Sequence, residues 1–201
     1  VYFGTLIDTN TQICVKVALE RDDDTFESEF EILSRLRNKD AIVQTLGYSV
    51  NGGKHCIVLE RADGALENLL RLPRHSLGLP MRTVLDLMAD LAKALVVLNE
   101  MKIAHRDIKP KNILCFAKID SPVTGERYTF KLCDFGMSRP VSYMQKSFDT
   151  VVGTPGYMVR SAIKYMCLNP SNKRSVLRTD LWSLGVTLYR CVTGQLPFDP
   201  R

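Results

Sequence analysis

The strongest constraint on the fold is a change in hydrophobic period near position 63 of the 201 residues. Before that point, short runs rich in β-branched and aromatic residues alternate with polar turn signals, which predicts strands joined in hairpins. After it, apolar residues recur at every third or fourth position, which predicts amphipathic helices. The expected strands are 2–6, 13–17, 42–48 and 55–59, and the expected helices are 65–70 and 81–102. We therefore expect two lobes, one rich in strands and one rich in helices.

Two further segments have helical character. Over 25–37, Phe26, Phe30 and Leu33 recur at helical spacing, so one helix is expected within the strand-rich part. Over 181–192 the apolar residues surround the helix almost completely. This second helix is predicted to be buried on every side.

Composition excludes several classes of protein. The chain is 45% hydrophobic and 24% charged, close to the average for globular proteins, which excludes disordered and fibrous chains. Its net charge of +5 is too small to predict nucleic-acid binding, which usually accompanies clustered basic residues. Apolar runs such as 94–98 are far shorter than a membrane span, so no membrane association is expected.

The six cysteines are spaced at 18 residues or more, so no Cys-X-X-Cys pair is present to bind zinc or carry out dithiol chemistry. Free thiols in a reducing compartment are expected, and no secretory leader opens the chain, which favours a cytoplasmic location. The first residue is Val1 rather than a methionine, so we expect the natural start to lie upstream.

The most informative segment is 105–112, which reads His-Arg-Asp-Ile-Lys-Pro-Lys-Asn. The triplet Asp-Phe-Gly follows at 134–136, beginning 22 residues beyond Asn112. Either motif alone has little specificity. Together, in this order and at this separation, they resemble the catalytic loop and the magnesium-binding motif of protein kinases.

The resemblance implies a role for each polar residue of these motifs. Phosphoryl transfer spreads negative charge over oxygen atoms, so it requires positioned cations and a group that orients the nucleophile. By resemblance, Asp107 accepts the proton of the substrate hydroxyl and Lys109 lies near the transferred phosphate. Asn112 and Asp134 would hold Mg²⁺ through oxygen ligands. The alternative is that residues 105–112 form only a hydrogen-bonded turn.

Lys16, which ends the segment Ile-Cys-Val-Lys, resembles the strand lysine that pairs with the phosphates of ATP and with a helix glutamate. Periodicity selects the partner. Glu29 lies three residues after Phe26 and four before Leu33, on the apolar stripe, and a carboxylate facing a core requires a cation. The alternative is a solvated glutamate at the rim of the helix.

An adenine pocket between the lobes is also implied by the resemblance. Residues 57–64 resemble the connection between kinase lobes, whose backbone receives the adenine. Apolar residues of this kind are more often plain core, and only the motifs single them out. The residues assigned to this pocket are Val1, Cys14, Lys16, Leu59, Glu60, Ala62 and Leu114, with Asp134 at its inner end.

Lys109 followed by Pro110 resembles the serine/threonine class of kinases rather than the tyrosine class. Arg106 before Asp107 marks kinases whose basic pocket commonly docks a phosphorylated activation loop. Thr150 stands where many relatives carry the phosphoacceptor, so an upstream activating kinase is a possible partner. The alternative for Thr150 is an ordinary loop threonine.

The fold implied is α+β and two-lobed like that of protein kinases, with a small lobe at about 1–60, a hinge at about 60–64 and a larger helical lobe at about 65–201. We expect it to be truncated at both ends, because no glycine-rich loop precedes Lys16 and few residues follow the last helix. Ser161 replaces a glutamate of the family pattern. The segments 128–135 and 180–198, with the long interval from Thr154 to Asp180, resemble the IκB kinase epsilon and TANK-binding kinase branch.

The function implied is ATP-dependent phosphorylation of serine and threonine hydroxyls on protein substrates. A kinase-like binding or scaffold module without catalysis is the alternative from a different class. The catalytic residues Lys16, Glu29, Asp107, Asn112 and Asp134 are all present, and degenerate members usually lose one. A small-molecule phosphotransferase is a third interpretation, which the segment Gly-Thr-Pro at 153–155 disfavours.

Overall fold

The computed structural model describes residues 1–18, 23–118, 127–142, 153–154, 156–158 and 173–198. Its first part contains four strands, β1 (Tyr2–Thr5), β2 (Gln12–Val17), β3 (Thr45–Asn51) and β4 (Lys54–Glu60). They form an antiparallel sheet in the order β1-β2-β4-β3. The β3–β4 turn contains Gly52 and Gly53 at φ of 57° and 76°, a left-handed pair that glycine adopts without strain.

The strand expected at 42–48 begins three residues later, and the physical reason is a competing pairing partner. Ile42 forms a parallel bridge with Leu132 of the second part. The Val43 N–H donates to the Leu132 carbonyl at 3.0 Å, and the Leu132 N–H donates to the Ala41 carbonyl at 3.0 Å. The start of the expected strand is therefore used to tie the two parts of the molecule together.

Helix α1 (Asp23–Arg35) packs against the sheet, where the periodicity predicted it. Phe26 and Leu33 are buried, and Glu29 lies among them with only 3% of its surface exposed. Asn38, at a φ of 62°, follows the helix and turns the chain back. The apolar stripe therefore places one carboxylate inside the molecule.

The second part begins with a short strand and helix and is built around two long helices. Its elements are β5 (Gly64–Ala65), α2 (Leu66–Leu70), α3 (Met81–Glu100), β6 (Ile103–Ala104), β7 (Ile113–Ala117), β8 (Tyr128–Leu132), β9 (Arg139–Pro140) and α4 (Lys173–Thr193). Helix α3 packs against β8 and against α4, and buries Leu87, Leu91 and Leu98 completely or nearly so. Strands β5, β7 and β8 form a small sheet in that order, and β6 pairs with β9.

The prediction that the last helix is buried on every side is wrong for the residues that the structure describes. Asp180, Leu184, Thr187 and Cys191 are buried on one face of α4, which packs on α3 and β6. The opposite face is partly open because no described element packs on it. Its apolar side chains, 41–60% exposed, are Leu181, Trp182, Tyr189 and Val192.

Within the described helices, no segment combines the length and the apolar character needed to cross a bilayer.

Two glycines allow the segment before α3 to approach the end of α4. Gly78 has a φ of 109° and Gly194 a φ of 74°, both in the region that side chains rarely adopt. A Cβ at Gly78 would overlap the carbonyl oxygen of Val192, and one at Gly194 would overlap that of Ser76. This close backbone packing fixes where α3 begins relative to α4.

We predict that Gly78→Ala destabilises the protein by about 2 kcal/mol or more, because the new Cβ meets backbone and the backbone dihedral is strained. For a chain of this size, that corresponds to a fall in Tm of about 4–8 °C. Gly185→Ala in α4 is the matched control, since an added Cβ there would have no neighbour within 4 Å among the described residues and alanine favours a helix. Equal Tm values for wild type and Gly78→Ala in calorimetry would contradict the close packing.

Candidate active site

A buried carboxylate from α4 supports the segment 105–112. Asp180 is 1% exposed and accepts the backbone N–H of His105 and of Arg106, each at 2.8 Å. Arg106 has a φ of 70°, a conformation that costs energy for a residue with a side chain. The two hydrogen bonds to Asp180 hold this strained backbone in place.

His105 joins this segment to the Asp-Phe-Gly motif. Its Nε2–H donates to the Cys133 carbonyl at 3.0 Å, and its ring contacts the Phe135 ring edge-on at a centroid distance of 4.8 Å. Nδ1 accepts the Asp107 N–H at 3.3 Å. Burial lowers the pKa of His105, so the ring is neutral, in agreement with one nitrogen donating and the other accepting.

Asp107 lies at the centre of a polar cluster. Its Oδ2 accepts from Lys109 Nζ at 2.7 Å and from Asn112 Nδ2 at 2.9 Å. The hydroxyl of Thr154 donates to Asp107 Oδ1 at 2.7 Å and accepts from Lys109 Nζ at 2.6 Å. The structure thus brings together Asp107, Lys109 and Asn112, as the motif predicted, and holds the Asp107 carboxylate in one orientation.

Sequence reasoning assigned no catalytic contact to Thr154. The residue lies 47 positions beyond Asp107, so no local periodicity connects the two. The segment Gly-Thr-Pro at 153–155 was the available signal, because it had already disfavoured a small-molecule phosphotransferase. Pairing it with Asp107 required the fold.

Asn112 and Asp134 have the oxygen chemistry that a hard cation prefers. Asn112 Nδ2 donates to the Asp107 carbonyl and carboxylate, both at 2.9 Å, and its amide oxygen accepts no hydrogen bond from the part of the chain described. The Asp134 side chain is 48% exposed. No cluster of three or more His, Cys, Asp or Glu suited to a metal occurs among the described residues. A cation here would need further ligands from a bound phosphate group.

Lys16 contacts two carboxylates, those of Glu29, which the periodicity predicted as its partner, and of Asp134. Its Nζ donates to Glu29 Oε2 at 2.7 Å and to Asp134 Oδ1 at 2.8 Å. Burial favours the neutral amine, but the two carboxylates outweigh it and raise the pKa of Lys16. Burial likewise opposes ionisation of Asp134, but the Lys16 charge and hydrogen bond lower the pKa of that carboxyl. Burial raises the pKa of Glu29, and the charge and hydrogen bonds of Lys16 oppose that rise. Lys16 and Asp134 are therefore charged near neutral pH.

The expected adenine residues lie along the junction between the two parts. Cys14 of β2 and Leu59 of β4 are paired across the sheet, and Leu114 lies in β7 opposite Ala65 and Lys131. Ala62 is half-buried between β4 and β5, and the Glu60 side chain accepts from Lys131 Nζ at 2.7 Å. Val1 precedes β1 and is 73% exposed.

Cys133 lies beside this region and is chemically unreactive by its environment. Burial, with Asp134 adding to it, raises the pKa of the thiol well above its ordinary range. The thiolate is the reactive form of a cysteine, so a raised pKa disfavours alkylation of this thiol. The five described cysteines, at 14, 56, 115, 133 and 191, are all free.

Two residues singled out in the sequence, Thr150 and Ser161, lie outside the described residues. Arg106, expected to dock a phosphorylated loop, donates from Nε to the Met137 carbonyl at 2.8 Å. Burial lowers the pKa of Arg106, and the positive charge of the neighbouring Arg139 lowers it further. Two positive charges therefore lie close together in this region.

Comparison with known proteins places these features in context. A family model described as protein kinase domain matches residues 1–201. The inhibitor of nuclear factor kappa-B kinase epsilon subunit homolog 1 of Caenorhabditis elegans is 36% identical over 85% of this chain and 23% of its own length. Serine/threonine-protein kinase TIO of Arabidopsis thaliana is 34% identical over 98% of this chain and 14% of its own length. The chain thus spans less than a quarter of these relatives.

A solved kinase domain superposes with a TM-score of 0.76 at 22% identity, covering 98% of this chain and 61% of that one. The predicted α+β, two-lobed fold is confirmed. The inhibitor of nuclear factor kappa-B kinase subunit epsilon of Mus musculus is 34% identical over 86% of this chain and 24% of its own length. The resemblance to that branch is therefore confirmed as well.

Proposed function

Because the chain belongs to the protein kinase family, we propose that it transfers the γ-phosphate of ATP to serine and threonine hydroxyls of protein substrates. The observation that carries the proposal is the orientation of Asp107 by Lys109, Asn112 and Thr154. A carboxylate fixed in this way can accept the proton of an incoming hydroxyl, provided that the hydroxyl lies within hydrogen-bond reach. The cationic Lys109 beside it stabilises negative charge on the transferred group.

A bound Mg²⁺ would neutralise the charge of the phosphates, and Asn112 and Asp134 are the residues suited to hold it. The amide oxygen of Asn112 and the partly exposed carboxylate of Asp134 have the required chemistry. Lys16, held by Glu29, presents a permanent positive charge to the same region. These side chains bind and orient the nucleotide phosphates, while residues around Leu59 and Leu114 offer an apolar surface to the base.

The proposed acceptors are serine and threonine. Lys109 is followed by Pro110, and its ammonium group bridges Asp107 and Thr154 at 2.7 and 2.6 Å. This bridge joins the lysine of the Lys-Pro pair, which resembles the serine/threonine class, to a threonine of a distant segment. Relatives of the chain include proteins named as serine/threonine-protein kinases.

Two further parts of the proposal rest on the sequence. An upstream kinase acting at Thr150 would supply a phosphate for Arg106 and its neighbour Arg139, whose positive charges lie close together. A cytoplasmic location is proposed from the cysteine spacing and remains a prediction.

We predict that Asp107→Asn lowers phosphate transfer by about 10²–10⁴-fold, the range for loss of a general base. The assay is transfer of labelled γ-phosphate from ATP to a generic protein acceptor by the protein in its natural length. Asp8→Asn, in the exposed turn between β1 and β2, is the matched control and should retain full activity. Equal transfer by wild type and Asp107→Asn would refute the proposed function.

We predict that Asp134→Asn removes the dependence of nucleotide affinity on magnesium. The wild type should bind ATP at least about 10-fold more tightly with Mg²⁺ than without it, and the variant should show nearly equal affinities, because a carboxylate ligand is lost. Titration calorimetry with and without the metal measures both ratios. A variant that keeps the wild-type ratio would exclude Asp134 as a metal ligand.

We predict that Thr150→Ala lowers turnover several-fold, because no phosphate can then dock on Arg106. Phosphatase treatment of the wild type should reproduce the loss, and the variant should be insensitive to it. Ser147→Ala, three residues upstream, is the control. If untreated wild type, treated wild type and Thr150→Ala turn over equally, Thr150 is no switch.

A further inference from the structure

A cavity of about 230 Å³ opens beside the Asp107 cluster, between α2, the segment 109–111 and α4. The proposed function uses only its edge, where Lys109 and Thr154 meet Asp107. Its volume is several times that of one water molecule, so it can hold a side-chain head group.

The lining of this cavity is strongly basic. Among the lining residues that the structure describes, Arg71, Lys109, Lys111 and Arg190 contribute four positive charges and Glu67 contributes one negative charge. Burial opposes ionisation of Glu67, but Arg190 and Arg71 outweigh it and lower its pKa, so the carboxylate is charged at neutral pH. The cavity therefore carries an excess of positive charge.

The contacts already made inside the cavity leave some of this charge uncompensated. Glu67 pairs with Arg190 at 2.8 Å and with Arg71 at 3.1 Å, so one carboxylate serves two guanidinium groups. Arg190 also donates to the Tyr157 hydroxyl at 2.6 Å, which fixes its orientation. Lys111 is exposed and forms no ion pair with any residue that the structure describes.

These charges determine which ligand the cavity favours. A basic side chain entering it would meet four like charges and a carboxylate that is already occupied twice. An anionic group would find Lys111 and the outer face of Arg71, 68% exposed, available for charge-assisted hydrogen bonds. Any occupant lies next to Lys109 and so next to the catalytic carboxylate, which identifies it as part of the acceptor chain.

We propose that this basic cavity binds an anionic side chain, a carboxylate or a phosphate, of the protein substrate close to the acceptor hydroxyl. The inference rests on the proposed function and narrows its substrate class to acidic segments. Arg190 is held in place by Glu67 and Tyr157, while Lys111 and the exposed face of Arg71 supply the charges that engage the substrate.

The test uses serine peptides in which one glutamate is moved stepwise through the positions flanking the acceptor, each with a glutamine counterpart. At the favoured position, the wild-type kcat/KM should be about 5- to 20-fold higher for glutamate than for glutamine, as expected for a charge-assisted contact at a partly solvated site. Lys111→Met should reduce this ratio to about 2-fold or less, and Arg71→Gln should reduce it in part. Lys118→Met, an exposed lysine outside the cavity, should leave the ratio unchanged.

A phosphoserine peptide at the same position distinguishes the two anions. A larger preference for phosphoserine than for glutamate assigns the cavity to a phosphorylated substrate, and a smaller one assigns it to a carboxylate. Ratios within 2-fold at every position, or a ratio that survives in both Lys111→Met and Arg71→Gln, would overturn the inference. Transfer to the glutamine peptides reports the proposed function separately.

If no peptide is phosphorylated, the proposed function fails and binding alone decides the inference. Fluorescence anisotropy with labelled glutamate and glutamine peptides then measures the same ratio as affinities. Tighter binding of the glutamate peptide that is lost in Lys111→Met supports the basic cavity as an anion site, and equal affinities reject it.

Discussion

The buried carboxylate of Asp180 is the interaction on which the site depends. A charged group without solvent is costly, and burial raises the pKa of Asp180 accordingly. The N–H groups of His105 and Arg106 offset that cost by hydrogen bonding to both oxygens. Removing one partner of a buried charge of this kind costs about 3–5 kcal/mol, so the carboxylate and the loop stabilise one another. The left-handed Arg106 backbone persists because helix α4 supplies this acceptor.

A second ionic contact joins the strand-rich part to the Asp-Phe-Gly motif. Lys16 lies in β2, Glu29 in α1 and Asp134 just before a short turn, and the three side chains meet at 2.7–2.8 Å. Each lies in a different element, so their meeting requires that sheet, helix and loop are all in place. The two ionic contacts of Lys16 therefore depend on the packing of β2, α1 and the Asp-Phe-Gly motif against one another.

Local pattern was sufficient for part of this structure. Glu29 was identified because a carboxylate on an apolar stripe needs a cation, and the structure supplies Lys16. The clustering of Asp107, Lys109 and Asn112 was implied by the resemblance of residues 105–112 to the catalytic loop of protein kinases. The contacts of Thr154, Glu67 and Arg190 could not be predicted from local pattern. Thr154 is 47 positions from its partner Asp107, and Glu67 and Arg190 are 123 positions apart. An interaction of that separation is set by tertiary packing and leaves no periodic trace.

The errors have the same origin. The strand start at residue 42 was wrong because β-branched residues indicate extended backbone but not which neighbour it pairs with. Ile42 pairs with Leu132 across the cleft instead of with β4. The exposure of one face of α4 was missed because hydrophobicity measures the preference of a side chain, whereas burial depends on what packs against it.

The tie at Ile42 and Leu132 is made by peptide groups. In both hydrogen bonds, a backbone N–H of Val43 or Leu132 donates to a backbone carbonyl. Every amino acid except proline has such an N–H group. The hydrogen bonding at the joint between the two parts of the molecule is therefore insensitive to the chemical identity of the other residues that could form it. The side chains of Ile42, Val43 and Leu132 are buried, so they support the joint through packing. Substitutions that keep this packing and avoid proline are therefore compatible with it.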